Sequence, residues 1–380
     1  MGIRTKFSSM GGRGDSSRLK GYKVNYDGTY EFLGNVNSYY FNFSGDKFYS
    51  ESCYVLNGST TANYFKDRTD LKSITTTSSV TVQTAITKSG SIFKINNVQL
   101  LGDNITTRSS NGTTINDYTQ NNNYYPCGYL APYTDGSNIY AFGVTGGRGT
   151  IYNKLAGTVS GGGITKIEGF FSLSNSIGSS YNKAPLLLIK NGDLGYITTG
   201  VSTYTLVGSF TKINNPSNYK WLDIKPTVDE PGQATSYYLA LDESRALFVV
   251  KGVNNNMSLV STTPLSYNVA KIYTGGCYLT DTGKLYVVST GSSPSAQAKL
   301  SRYSFSSIGR VYYSSIGSDY GFYIVSTTLD GKVLLLNYNY RSVLKTITLP
   351  HKAIDCTGDV YKSSGSTATW QSRNVIICED

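Results

Sequence analysis

The feature that most constrains the fold of this chain is a short recurring pattern: two apolar runs joined by a tight turn of Gly with a small polar residue. In one copy Leu186–Ile189 precedes a turn at Asn191–Gly192, and in another Phe322–Val325 precedes a turn at Asp330–Gly331. A Gly-containing turn between two apolar runs is a strong signal for a β-hairpin. Because the signal returns at long intervals, it predicts a chain built from repeated sheet units.

Seven such turns divide the chain into units close to the length of one four-stranded propeller blade, about 40 to 50 residues. Their spacing ranges from 39 residues, between Ser244 and Gly283, to 62 residues, between Gly28 and Gly90. Weaker apolar runs between the turns would supply the outer strands. We therefore predict a single β-propeller of seven blades, with six or eight as alternatives, whose two ends meet. The turns lie at Asp27–Gly28, Ser89–Gly90, Asp135–Gly136, Asn191–Gly192, Glu243–Ser244, Thr282–Gly283 and Asp330–Gly331.

The composition also favours an all-β chain. Tyr accounts for 33 residues against 14 Phe and 2 Trp, and Gly contributes another 40. Tyr suits half-buried sheet surfaces because its ring packs while its hydroxyl finds a polar partner. No apolar run approaches the roughly 18 residues that span a bilayer, and the first residues lack the apolar segment of a secretory signal. We therefore expect neither a membrane span nor export by that route.

The first 20 residues differ from all that follow, because they are rich in Gly and Ser and contain almost nothing apolar. Up to Lys23 the chain carries six basic residues and one acid, so half of its net charge of +10 lies there. We predict that residues 1–20 form an arm outside the propeller of residues 21–380 and contact another protein. Nucleic acid, which the same charges attract, is the less favoured partner. The residues predicted to make the contact are Arg4, Lys6, Arg13, Arg18 and Lys20.

Two turn segments carry a family resemblance. Ile189–Leu194 and Thr280–Tyr286 resemble the central turn of β-propellers of the regulator-of-chromosome-condensation type, whose repeat has a polar-Gly-polar turn followed by Leu-Tyr or Val-Tyr. The Trp-Gly pair of that repeat is absent from every copy here. The resemblance implies the propeller fold and does not extend to nucleotide exchange. In composition the chain resembles bacteriophage tail and virion proteins, which are all-β, rich in Tyr, Asn, Gly, Ser and Thr, and poor in Cys and His.

The sequence offers few residues for catalysis. His351 is the only histidine, so any Ser-His-Asp or Cys-His arrangement would need it, and a two-His metal site is excluded. The acids available for a glycosidase-like pair are Asp223, Asp229, Glu230, Asp242, Glu243 and Asp319, and we interpret Asp229–Glu230 and Asp242–Glu243 as polar turns. We predict no enzyme, and no catalytic, cofactor-binding or metal-binding residue.

The five cysteines are widely spaced and follow no metal-binding pattern. We interpret them as small buried apolar residues, with a Cys356–Cys378 disulfide or a metal site as alternatives.

These observations lead to one functional hypothesis and two alternatives. The first is a structural component of a bacteriophage particle, from the tail or the head–tail region, located in the virion and anchored to other virion proteins by its arm. The second is a lectin-like propeller that binds a host-surface glycan through Tyr124–Tyr125, Tyr237–Tyr238 or Tyr312–Tyr313. The third, which follows from the family resemblance alone, is a propeller that regulates a small GTPase; fold does not imply function.

Overall fold

The structure is a computed structural model, and the descriptions below concern the residues that it places. These are residues 19–40, 53–56, 85–89, 92–96, 129–134, 136–145, 150–169, 171–172, 185–200, 205–227, 235–253, 255–273, 275–309, 322–337, 339–362 and 369–380.

Within these residues the chain forms 27 β-strands and no helix. The first ten strands are β1 (Leu19–Val24), β2 (Tyr30–Tyr40), β3 (Cys53–Leu56), β4 (Ala85–Ser89), β5 (Ile92–Asn96), β6 (Tyr129–Thr134), β7 (Asn138–Thr145), β8 (Thr150–Thr158), β9 (Ile164–Glu168) and β10 (Phe171–Ser172). The others are β11 (Leu186–Lys190), β12 (Asp193–Thr199), β13 (Leu206–Lys212), β14 (Trp221–Pro226), β15 (Thr235–Asp242), β16 (Leu247–Val253), β17 (Asn256–Leu259), β18 (Val269–Tyr273), β19 (Cys277–Thr280), β20 (Leu285–Ser289), β21 (Ser295–Lys299), β22 (Phe305–Ile308), β23 (Phe322–Thr328), β24 (Val333–Asn337), β25 (Val343–Ile347), β26 (Lys352–Lys362) and β27 (Trp370–Glu379).

Most of these strands form four four-stranded antiparallel sheets and one nine-stranded sheet, which we divide at the β23–β26 pair into a first and a sixth unit. The first unit has the order β26–β27–β1–β2, with β3 beside β2, the second has β10–β6–β7–β8, and the third has β9–β11–β12–β13. The fourth (β14 to β17), fifth (β18 to β21) and sixth (β22 to β25) units are meanders of consecutive strands. Repeated four-stranded meanders are the architecture of a β-propeller. The chain is therefore an all-β propeller.

The two ends of the described chain meet in the first unit. Strand β1 lies between β2 and β27, with Leu19 opposite Glu379 and Tyr22 opposite Ile376. Strand β26 pairs with β27 on one side and with β23 of the sixth unit on the other. The first and last described strands therefore pair with each other.

Neighbouring units pack through alternate residues of their central strands. In β11, Leu187 and Ile189 belong to an apolar cluster with Phe248 of the fourth unit. Leu186 and Leu188 belong to a different cluster, with Ile139 of the second unit. Because successive strand residues point to opposite faces, burial on both faces explains why the central strands are unbroken apolar runs. Similar clusters join the fourth unit to the fifth, the fifth to the sixth, and the sixth to the first.

The seven predicted turns all lie between paired antiparallel strands. Gly192 has a φ of +86° and Gly283 a φ of +75°, a conformation that glycine adopts without strain. The turn without Gly, at Glu243–Ser244, instead uses the buried side chain of Asp242. Its Oδ1 accepts hydrogen bonds from the backbone amides of Ser244 at 3.0 Å and Ala246 at 3.1 Å. This confirms the interpretation of Asp242 as a turn residue.

The described strands fit six units, which is one of the predicted alternatives. Four of these units are separate four-stranded sheets, and the other two are continuous in one nine-stranded sheet through the β23–β26 pair. The hairpin at Ser89–Gly90 consists of β4 and β5, which form a separate two-stranded sheet. A hairpin signal depends on local sequence only, so it identifies the hairpin but not the sheet that the hairpin joins.

Candidate functional sites at the terminal junction and the inner strands

The first candidate site, which we call the terminal junction, consists of Lys20, Tyr22, His351 and Asp380. Strands β1 and β27 bring the first and last of these together, and the loop between β25 and β26 supplies His351. The Tyr22 hydroxyl lies 2.7 Å from His351 Nδ1, and His351 Nε2 lies 3.1 Å from Asp380 Oδ1. Lys20 Nζ forms an ion pair with the same carboxylate.

The interactions at the terminal junction shift the pKa values of Asp380 and Tyr22 in opposite directions. The hydrogen bond from Lys20 lowers the pKa of Asp380, and the charges of Lys20 and His351 act in the same direction. Burial, with the charges of Cys378, Tyr30 and Asp380, raises the pKa of Tyr22. An ionised carboxylate only accepts hydrogen bonds, so Nε2 of His351 donates to Asp380, while Nδ1 and the Tyr22 hydroxyl share the second hydrogen bond of the ring.

Two exposed aromatic rings extend this site along β2. Tyr30 is 45% exposed and Phe32 is 51% exposed. Their ring centroids lie 5.8 Å and 5.3 Å from that of Tyr22. Tyr22 is itself buried, so the outer surface here is made by Tyr30 and Phe32. The terminal junction therefore carries an exposed aromatic face beside the strand that residues 1–18 lead into.

Of the predicted arm, residues 1–20, the structure describes Leu19 and Lys20. Leu19 and Lys20, which were assigned to it, are strand residues of β1. The ammonium group of Lys20 forms an ion pair with Asp380 of the same chain, and its contact with another protein stays a prediction. The other four residues of the predicted contact set lie outside the described residues: Arg4, Lys6, Arg13 and Arg18.

The second candidate site, the inner cluster, consists of Lys166, Glu168, Asp223 and Lys225. It lies on β9 and β14, the first strands of the third and fourth units, which are neighbours. Lys225 Nζ is 3.3 Å from Glu168 Oε1 and 3.8 Å from Asp223 Oδ1, and Lys166 Nζ is 3.2 Å from Asp223 Oδ1. Each strand contributes two residues two positions apart, so all four side chains fall on matching faces.

Glu168 is the unusual member of the inner cluster. Its side chain is 4% exposed, and its Oε2 atom has no hydrogen-bond partner among the described residues. Burial raises the pKa of Glu168 to about 7, with Asp223 adding to the rise and Lys225 opposing it. Burial also acts to raise the pKa of Asp223, but Lys166 and Lys225 outweigh it and hold that pKa below its usual range. The two acids of one cluster therefore differ in their affinity for a proton.

A further ion pair lies on the first strands of the fifth and sixth units and on β26. Lys271 Nζ is 3.4 Å from Asp355 Oδ1 and 3.3 Å from the hydroxyl of Ser307. The Tyr273 hydroxyl is 3.5 Å from the same Ser307 oxygen, and burial raises the pKa of Tyr273 to about 12. Charged and hydroxyl side chains thus occur on the first strands of several successive units, and the lysines among them are paired with acids.

Several tyrosines and cysteines named in the sequence predictions are buried in the core. Tyr238 is 3% exposed and packs in the core between the third and fourth units, so it offers no stacking surface. Cys277, Cys356 and Cys378 are buried free thiols, so Cys356 and Cys378 form no disulfide. Four of the tyrosine and cysteine predictions fall outside the residues whose side chains are described: Tyr124–Tyr125, Tyr312–Tyr313, Cys53 and Cys127. The acids Asp229, Glu230 and Asp319 fall outside them too.

Two features of the described residues concern metal ions and membranes. No group of three or more His, Cys, Asp or Glu side chains is placed to hold a metal ion. No helix in the described ranges has the length and hydropathy needed to cross a membrane.

No protein-family model matches the chain. No curated protein matches it either. Among solved structures, Hsv2 of Kluyvelomyces marxianus is similar with a TM-score of 0.38 and 7% identity, covering 64% of this chain and 68% of that one. The β-propeller domain of Cps50 (Swd1) from Myceliophteria thermophila gives a TM-score of 0.33 and 9% identity, covering 64% and 93%. Sqt1 of Saccharomyces cerevisiae gives 0.30 and 11%, covering 67% and 83%. Similarity at this level carries no argument about function, and the propeller assignment rests on the sheets themselves.

Proposed function

We propose that this chain is a structural docking component of a bacteriophage particle, from the tail or the head–tail region, that joins a neighbouring protein through the terminal junction and the segment before it. The observation that supports the docking role is the exposed aromatic face of Tyr30 and Phe32, 45% and 51% exposed. Aromatic side chains are enriched where protein interfaces are buried. The viral setting is supported by the compositional resemblance alone.

The charge distribution favours an acidic protein as the neighbour. The segment before Leu19 carries Arg4, Lys6, Arg13 and Arg18 against one acid, Asp15. It enters β1 at Leu19, opposite Val36, whereas Phe32 and Tyr30 lie opposite Tyr22 and Val24 further along β1, so a neighbour that contacts both the segment and the aromatic face would extend along β1. In such an arrangement the aromatic rings contribute affinity, while the charges contribute rate of association and selectivity.

The test is co-purification with the particle. A tagged chain is expressed in infected native host cells, particles are separated on a density gradient, and the tagged chain is measured in the particle fraction. We expect the unaltered chain in that fraction and the variant Y30S/F32S largely lost from it. The matched control is Y219S, which removes a 52% exposed tyrosine from the loop before β14. Absence of the unaltered chain from particles would contradict the viral setting, and normal incorporation of Y30S/F32S would contradict the docking face.

The regulator-of-chromosome-condensation resemblance leaves a regulatory role on a small GTPase as a weaker proposal. It rests on the turn segments alone, and those turns are used by the fold. A nucleotide-exchange assay with the purified chain tests it directly, with accelerated exchange as the supporting result.

A further inference from the structure

A groove lies on the fifth unit, away from the terminal junction. It is bounded by the loop before β18, by the turn between β19 and β20, and by the start of β21. Its volume is about 580 Å³, within the range of about 300–1,000 Å³ typical of small-molecule sites. The side chains that matter for recognition are Tyr267, Asn268, Asp281, Thr282, Tyr286 and Ser295.

Two of these side chains are aromatic and differ in exposure. Tyr267 is 60% exposed, so its ring is available to a ligand. Tyr286 stacks on Tyr278 with the ring centroids 5.1 Å apart and the planes 5° from parallel. Because Tyr278 is 1% exposed, it fixes the Tyr286 ring against the sheet. The groove thus combines an exposed ring with a fixed one.

The polar rim of the groove is held by backbone hydrogen bonds. The Asp281 amide donates to the Asn268 carbonyl at 3.0 Å, which ties the turn to the loop before β18. The Thr280 hydroxyl accepts from the Lys284 amide at 3.1 Å and lies 2.9 Å from the Thr282 hydroxyl. The carboxylate, amide and hydroxyl groups at the rim are therefore carried on a stiff frame.

The one ammonium group in the lining, that of Lys284, already donates hydrogen bonds within the chain. Lys284 Nζ donates to the carbonyls of Ser301 at 3.0 Å and Tyr303 at 3.3 Å, and to the Ser304 hydroxyl at 3.3 Å. The remaining charge in the lining is the exposed carboxylate of Asp281. A phosphate or another anion would therefore meet a carboxylate and no uncommitted cation. The aliphatic side chains of the lining are Leu265 and Ala296, which gives little surface for an apolar peptide.

We propose that this groove binds a neutral saccharide. Sugars present C–H faces that pack on the negative face of an aromatic ring, and hydroxyls that pair with carboxylate, amide and hydroxyl groups. Tyr267 supplies the ring, Asp281 accepts from sugar hydroxyls, and Asn268 and Ser295 both donate and accept. The inference goes beyond the proposed docking role and uses a different surface.

The experiment measures binding of the purified full chain to an array of several hundred neutral and acidic oligosaccharides. Affinities for the best neutral probe are then determined by isothermal titration calorimetry. We expect binding to at least one neutral oligosaccharide. We expect Y267A to weaken it by about tenfold, the value of one aromatic contact. We expect D281N to weaken it by about fivefold, the difference between a hydrogen bond to a charged acceptor and one to a neutral acceptor.

The control is Y219A, which removes another exposed tyrosine outside the groove and should leave the affinity unchanged. Thermal unfolding of each variant establishes that it is folded. Three results would overturn the proposal: no binding to the neutral oligosaccharides of the array, a preference for acidic ones that D281N strengthens, or an affinity that Y267A and D281N leave intact. None of these depends on whether the chain enters a particle, so the docking role is tested separately.

Discussion

The inner cluster and the terminal junction are both built from a lysine and a carboxylate, yet they differ in contact with water. In the inner cluster, the side chains of Glu168 and Lys225 are 4% and 13% exposed. At the terminal junction, those of Lys20 and Asp380 are 20% and 47% exposed. The same kind of lysine–carboxylate ion pair is therefore shielded from water at the inner cluster and partly exposed to it at the terminal junction.

The difference in exposure reverses the direction of the pKa shift. Burial raises the pKa of Glu168 to about 7, whereas hydrogen bonding from Lys20 lowers that of Asp380. Ionised groups in the inner cluster carry a desolvation cost that their partners must offset. The interaction between ionised groups at the terminal junction is favourable, but water and salt screen it. We therefore expect the inner cluster to affect stability and the terminal junction to affect association.

The largest expected effect comes from removing the partner of the buried acid. K225M should destabilise the protein by about 3 kcal/mol at pH 8, because Lys225 lowers the pKa of Glu168, and without it Glu168 must either take up a proton or remain a buried charge without its main partner. At pH 5 the loss should be smaller, because Glu168 then takes up a proton. Chemical denaturation at both pH values measures the difference. The matched control is Lys212→Met, which removes an exposed lysine paired with the exposed Asp193; an equal loss in both variants would contradict the comparison.

The next effect is a dependence of stability on pH. The folded pKa of Glu168, about 7, lies above its ordinary value of 4.5. The folded state therefore binds more protons between these values, and the free energy of unfolding falls as pH rises. The contribution is fully present below pH 4.5, is lost as pH passes 7, and amounts to about 3 kcal/mol.

The variant E168Q isolates this contribution. Because glutamine does not titrate, the free energy of unfolding of E168Q should vary less between pH 5 and 8, and E168Q should be the more stable protein at pH 8. E243Q removes an exposed carboxylate from the turn between β15 and β16 and should keep the slope of the unaltered protein. An identical slope in E168Q and the unaltered protein would show that Glu168 does not titrate in this range.

Much of the fold follows from the sequence because its signals are local. Each Gly turn marks a hairpin, and even the turn at Glu243–Ser244 is marked by the apolar runs on either side. Arg245 there has a φ of +65°, a conformation supported by the Asp242 hydrogen bonds that no turn rule specifies. The number of units depends on which strands share a sheet, and that is not a local property.

The inner cluster is not predicted by the sequence because its members are distant along the chain. Glu168 and Lys225 are 57 residues apart. On each strand the pattern of a charged residue at every second position is typical of a solvent-facing side. The approach of β9 to β14 brings Lys225 beside Glu168. The signal that could have predicted the inner cluster is the occurrence of a charged residue at every second position on the first strands of two adjacent units. Similarly, nothing in the sequence around His351 indicates that Tyr22 and Asp380 lie beside it.

A third prediction extends the comparison to the backbone of two turns. A Cβ at Gly283 would lie 2.6 Å from the Phe305 carbonyl oxygen, whereas one at Gly28 would lie 3.1 Å from the flexible side chain of Lys345. Both glycines have positive φ, so both substitutions to Ala introduce strain. We expect G283A to cost about 3 kcal/mol and G28A about 1 kcal/mol. Equal losses in urea denaturation would mean that the contact with Phe305 is relieved by backbone movement.

The smallest expected effect is at the terminal junction, and it distinguishes the two regions by their response to salt. D380N should lower stability slightly, because it removes an exposed acceptor shared by Lys20 and His351. At 1 M NaCl the Debye length falls to about 3 Å, so this loss should disappear. The loss in K225M should persist, because the inner cluster is shielded from solvent ions. Denaturation midpoints at low and high salt measure both variants. A salt-independent loss in D380N would mean that Asp380 acts by packing β27 against β1 rather than by its charge.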